Sequence, residues 1–141
     1  MKVKVLYHSI TGNTRKIADA IAGEVGVDAE SIASGQYEVT ADVLFLGDGN
    51  YVSNIHKVTK ELINSLKNQD IKNIAVFGTY GGMNNARQKM IELIKRNGIN
   101  VLDDNFFCKG KAWGVINRNK PDKDDIEKAK EFAREVIRKI S

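Results

Sequence analysis

The sequence predicts an α/β fold: one doubly wound, five-stranded parallel sheet with helices on both faces. Two observations carry that expectation. Short apolar runs alternate along the chain with segments whose apolar residues recur at helical spacing. Strands that alternate with helices in this way imply right-handed crossovers and a parallel sheet. A length of 141 residues with 42% hydrophobic content then suits a single domain over 1–141 with one sheet at its centre.

The first strand is expected over 3–7, leading into a helix that begins near Asn13 and buries Ile17, Ala18, Ile21, Ala22 and Val25. A short edge strand is placed near 29–32, in the weakest stretch of the pattern. Residues 42–47 are continuously apolar after Asp42, as a strand covered on both faces should be. The helix that follows carries Ile55, Val58, Leu62, Ile63 and Leu66 on one face. A fourth strand is expected over 71–78. Asn84 or Asn85 can cap the next helix, with Ala86, Met90, Leu93 and Ile94 buried and Gly98 at its stop. The fifth strand is read as uninterrupted over 100–108. Asp122 after Pro121 caps the last helix, Asp125 suits its first turn, and Ile126, Ala129, Ala133, Val136, Ile137 and Ile140 form its stripe.

Composition narrows the function classes. No run is long enough to span a membrane, and no stretch reads as a signal peptide. A single cysteine, Cys108, excludes an internal disulfide and fits a reducing cytoplasm, where it serves as a small buried hydrophobe. No Cys, His and carboxylate spacing suggests a metal site. The formal charge is +4, with a sequence pI near 9.1. Lys109, Lys111, Arg118, Lys120 and Lys123 stand against Asp122 alone, so one loop carries the whole excess. That loop lacks a nucleic-acid motif, and Trp113 is its only aromatic. His8 reads as a turn residue and His56 as a residue near a helix start. Neither has an Asp or Cys neighbour in sequence that would mark a relay.

The functional signal is the stretch Ser9, Ile10, Thr11, Gly12, Asn13 and Thr14, between the first strand and the first helix. Backbone N–H groups at a helix N-terminus are unsatisfied, and the helix dipole favours an anion there. Three hydroxyls supply further donors, and Gly12 permits close approach of the backbone. Capping alone would need fewer of these groups. No Walker loop and no dinucleotide fingerprint occurs.

This stretch resembles the hydroxyl-rich T/S-x-T-G-N-T loop with which flavodoxins hold the phosphate of flavin mononucleotide (FMN). The resemblance extends over the whole chain. It implies the flavodoxin-like strand order 2-1-3-4-5 in a short-chain form, with FMN outside the carboxyl ends of the strands at the switch point. The second loop, with Asp48, Gly49, Asn50 and Tyr51, and the third, with Thr79, Tyr80, Gly81 and Gly82, are then expected to enclose the ring. In flavodoxins a peptide of the second loop can turn its carbonyl towards flavin N5, and Gly49 would accept such a turn. The chain departs from the family in lacking a large aromatic directly after the third strand, in lacking the acidic and tyrosine pairing of the third loop, and in its basic charge. Tyr51, Tyr80 or Trp113 could stack on the ring.

The function implied is a monomeric, cytoplasmic FMN-bearing electron carrier between a reductase and an acceptor enzyme. Lys109, Lys111, Arg118 and Lys120 would face an acidic redox partner. The alternatives are a flavodoxin-like binding or regulatory module without flavin, and a small FMN-dependent reductase. A receiver domain shares the strand order, but it needs an acidic pair after the first strand, where this chain has His8 and Ser9.

Overall fold

β1 (Val3–Tyr7) sits second in the sheet, flanked by β2 (Ala29–Ser31) on one side and β4 (Val43–Gly49) on the other. Beyond β4 come β6 (Ile74–Tyr80) and β7 (Phe106–Lys109), all parallel, so the five principal strands run in the expected order 2-1-3-4-5. A second, two-stranded pairing joins β3 (Thr40–Ala41) to β5 (Asp70–Ile71). The computed structural model describes residues 1–32, 38–49, 54–82, 84–111 and 119–141, with backbone only at residue 68.

Successive side chains of a strand point to opposite faces, and both faces are filled. Val5, Val43, Phe45 and Phe77 pack with α1 (Asn13–Val25) and α4 (Lys123–Ile140). Leu6, Leu44, Leu46, Ile74 and Val76 pack with α2 (Lys57–Ser65) and α3 (Ala86–Arg96). Each such side chain, sealed from water, contributes about 1.5–3 kcal/mol of transfer free energy. Most of the helical stripes read from sequence are buried: Ile17, Ile21, Leu62, Ile63, Met90, Ile94, Ala129 and Val136 are all inaccessible or nearly so, whereas Val25 and Leu93 pack against the core at its margin and are only half-buried.

Three boundaries differ from expectation. β4 runs on to Gly49, so Asp48 belongs to the sheet rather than to a loop. The run at 71–78 divides, because Ile71 pairs with Ala41 in the small sheet and the central strand starts at Ile74. The fifth strand is interrupted. Val101 makes a single bridge to Ile74, and pairing resumes where Phe106 meets Phe77. Two extra residues are therefore looped out at the polar stretch Asp103, Asp104 and Asn105. There the Asn105 amide donates to the Asp103 carbonyl, and Asp104 pairs with Lys139 of α4.

The helix ends follow the sequence more closely. Asp122 and Asp125 form a reciprocal capping box on α4, each side chain accepting from the other's backbone N–H at 3.0 Å. Asn85 precedes α3 but makes no side-chain cap.

Candidate flavin-binding site

β1, β4, β6 and β7 deliver their carboxyl ends to one edge of the sheet, so their following loops meet where the chain reverses direction across the sheet. The first loop turns into α1 at Gly12, whose φ of 89° is left-handed and favours glycine. No side chain caps this helix. The Gly12 N–H donates to Ser9 Oγ at 3.0 Å, which draws the loop into a tight arc around the helix start. Ile10 and Thr11 are exposed on that arc.

Asn13 and Thr14 are instead turned inward. The Asn13 amide donates to the Lys111 carbonyl at 2.8 Å, and the Thr14 hydroxyl shares a 2.8 Å hydrogen bond with that of Thr79 on β6. The first tie requires Gly110: a Cβ there would lie 2.7 Å from Asn13 Nδ2. The Gly110 N–H donates to the Tyr80 carbonyl, and the Lys111 N–H to the Lys120 carbonyl. The third and fifth loops are thereby moored to the first. Thr79 is buried, Tyr80 half-buried, and Gly81 and Gly82 follow β6 at the rim.

At the second loop, Asp48 is fully buried. Its carboxylate accepts from the Gly49 N–H at 2.8 Å and from the His56 N–H at 2.9 Å, which pins both ends of the connection to α2. Asn50 and Tyr51 lie outside the described residues, as do Trp113 and Arg118. Burial pushes the Asp48 carboxyl above its ordinary range. The Thr59 hydroxyl, the two amides and the charge of His8 oppose that shift. Thr59 Oγ1 is itself buried and lacks a partner of good hydrogen-bond geometry.

The sequence reading missed one cluster. His8 Nδ1 lies 3.3 Å from Asp48 Oδ1, and the His8 ring stacks on His56 with centroids 4.0 Å apart. His56 also caps α2, its Nδ1 accepting from the Val58 N–H at 3.1 Å. The absence of a sequence neighbour therefore did not mean the absence of an acidic partner for His8. The signal lay in strand register: Tyr7 pairs with Gly47, so the next residues, His8 and Asp48, stand side by side.

The basic loop is only partly available as a charged surface. Lys109 and Lys111 are exposed at this edge. Lys120, by contrast, pairs with Asp122 at 2.8 Å and Asp125 at 3.3 Å. Cys108 ends up nearly buried beside this group. Burial, followed by the negative charge of Asp125, pushes its thiol up to about 12.

The donor set suits the phosphate of a cofactor. An uncapped helix start offers N–H groups, and Ser9 and Thr11 flank it with hydroxyls. A Cβ at Gly12 would meet nothing within 4 Å, so space is open there. The sequence model of the flavodoxin domain matches residues 4–120, and the chain belongs to that family. It is 31% identical to the uncharacterized protein MJ0298 of Methanocaldococcus jannaschii, over 98% of this chain and 99% of that one. Its fold is similar to that of a flavodoxin from the domain Archaea, with a TM-score of 0.77, 22% identity and 99% of both chains covered. A Lactobacillus acidophilus flavoprotein solved in complex with FMN is similar over 77% of this chain and 92% of its own, with a TM-score of 0.57 and 19% identity.

Proposed function

We infer that this protein binds FMN at the described sheet edge and serves as a flavodoxin-type electron carrier between a reductase and an acceptor enzyme. The observation that carries this reading is the uncapped, glycine-initiated start of α1 at the point where four strand ends converge. Bound there, FMN would supply the electron-accepting chemistry, and the protein would supply binding and electrostatics. Ser9, Thr11 and the N–H groups at the helix start hold the phosphate. Asn13 and Thr14 fix the arc that presents those donors, through Lys111 and Thr79. The second and third loops, rooted by Asp48 and Thr79, flank the ring.

Lys109 and Lys111 put positive charge at the same edge, which favours an acidic redox partner. Among the described residues no helix is long and apolar enough to cross a membrane.

The small-reductase reading gains from His8 and Asp48, since such an enzyme needs a proton source near the ring. The carrier reading fits better, because Asp48 has no exposed surface through which to reach a substrate. Purification without added cofactor tests the assignment. A yellow protein with the absorbance of bound flavin supports it. A colourless protein that stays colourless after incubation with FMN and gel filtration favours the flavin-free module.

A further inference from the structure

The buried carboxylate of Asp48 joins parts of the site that sequence order keeps far apart. It accepts from the backbone N–H groups of Gly49 and His56 and lies 3.3 Å from His8, whose ring stacks on that of His56. We propose that His8, Asp48 and His56 form one proton-holding positioning unit beside the flavin, which takes up a proton when the flavin is reduced. The proposal rests on the FMN reading above and adds to it the group that answers the charge of the reduced ring.

Placement supports it first. His8 directly precedes Ser9 at the root of the phosphate loop, and Asp48 precedes Gly49 at the root of the second loop. Both therefore stand at the roots of the two loops between which the FMN reading puts the cofactor. Electrostatics supports it next. A buried carboxylate is costly unless a counter-charge or several hydrogen bonds meet it. Among the described residues, the groups that meet Asp48 are His8 from the end of β1, the Gly49 N–H from β4 and the His56 N–H at the start of α2, with the Thr59 hydroxyl close by. Lys57 and Glu61 of α2 are exposed and pair with each other instead.

The balance of the step is simple. Two electrons from an external donor would add two negative charges at a bound flavin; one proton bound by the ring and one bound by the His8 imidazole against Asp48, both from water, would offset them. The site gains no net charge. Linkage then requires reciprocity: if reduction raises the proton affinity of the unit, protonation raises the potential by the same free energy. His56 holds the His8 ring by stacking and donates its own N–H to Asp48.

Proton NMR of the FMN-loaded protein tests this directly, because the chain has only two histidines. The ring C–H signals of His8 and His56, assigned with His56→Asn, are followed against pH in the oxidised and the dithionite-reduced protein. His8 should titrate at higher pH after reduction. In parallel, the potential of bound FMN is measured against pH for the wild type and for His8→Asn. The difference between the two should change with pH, by up to about 30 mV per unit for one proton per two electrons. Identical His8 titrations in both redox states, or a difference in potential that does not vary with pH, would overturn the proposal. If His8→Asn does not fold, the wild-type titrations decide alone. A flavin titration of the same sample separates the two readings, since a protein that binds no FMN overturns both, whereas FMN bound without linkage overturns this one alone.

Discussion

Thr14 and Thr79 lie 65 positions apart and share one buried hydrogen bond, 2.8 Å between their hydroxyl oxygens. It ties the start of α1 to the end of β6, and so the arc that would hold the phosphate to the strand that leads into the third loop. Replacing Thr79 by Val keeps the shape but leaves the Thr14 hydroxyl buried without that partner, which should cost about 1–3 kcal/mol. Replacing both by Val should recover much of that loss. Urea denaturation of the two single variants and the double variant measures the coupling, and simple additivity would contradict it.

The cap of α4 should fail in acid. Lys120 beside it, and then the Asp125 N–H, hold the Asp122 carboxyl at about 2, below its ordinary 3.8. The folded state then binds fewer protons than the unfolded chain between those two values. The stabilisation is complete above the ordinary value and is lost as pH falls towards about 2. Asp122→Asn retains a capping oxygen without the charge. Urea midpoints followed downward from pH 5 should fall more steeply for the wild type than for this variant. Added salt should narrow the gap, because the pair is exposed.

Cys108 should be inert. With its thiol held up at about 12, the reactive thiolate at pH 8 is roughly a thousandfold scarcer than for a thiol at the ordinary 9.0. A disulfide reagent should therefore label the native protein far more slowly than the urea-unfolded protein. Equal rates would show that the thiol is accessible and ionised.

Exposed positive charge at the proposed flavin edge should govern partner encounter. Reversing Lys109 and Lys111 to Glu should slow electron transfer to an acidic acceptor, most strongly at low ionic strength. Stopped-flow rates across a salt series measure it. Lys120→Glu should act mainly on stability instead, since this lysine is already committed to Asp122 and Asp125. An equal effect of all three reversals on the low-salt rate would contradict this division.

Local pattern made most of the fold legible. Strands buried on both faces are written as continuous apolar runs, and the helices as stripes such as Ile17, Ile21 or Leu62, Ile63. The fifth strand was overread, because two apolar runs flank a polar stretch and the looped-out residues there leave no mark in hydrophobicity alone. The hydroxyl-rich turn after β1 was equally visible, but which way its side chains turn was not. Thr11 faces solvent whereas Asn13 and Thr14 face inward, and only the partners Lys111 and Thr79 reveal that. The pairing of His8 with Asp48 is set by parallel register between strands distant in sequence, which no neighbouring residue announces.

Phosphate recognition at the start of α1 is the claim on which the functional account stands. Titrating the flavin-free protein with FMN and with riboflavin, which differ by that phosphate alone, isolates it. FMN should bind more tightly by at least tenfold, equivalent to about 1.4 kcal/mol, and added inorganic phosphate should compete with it. Equal affinity for the two flavins would contradict the account.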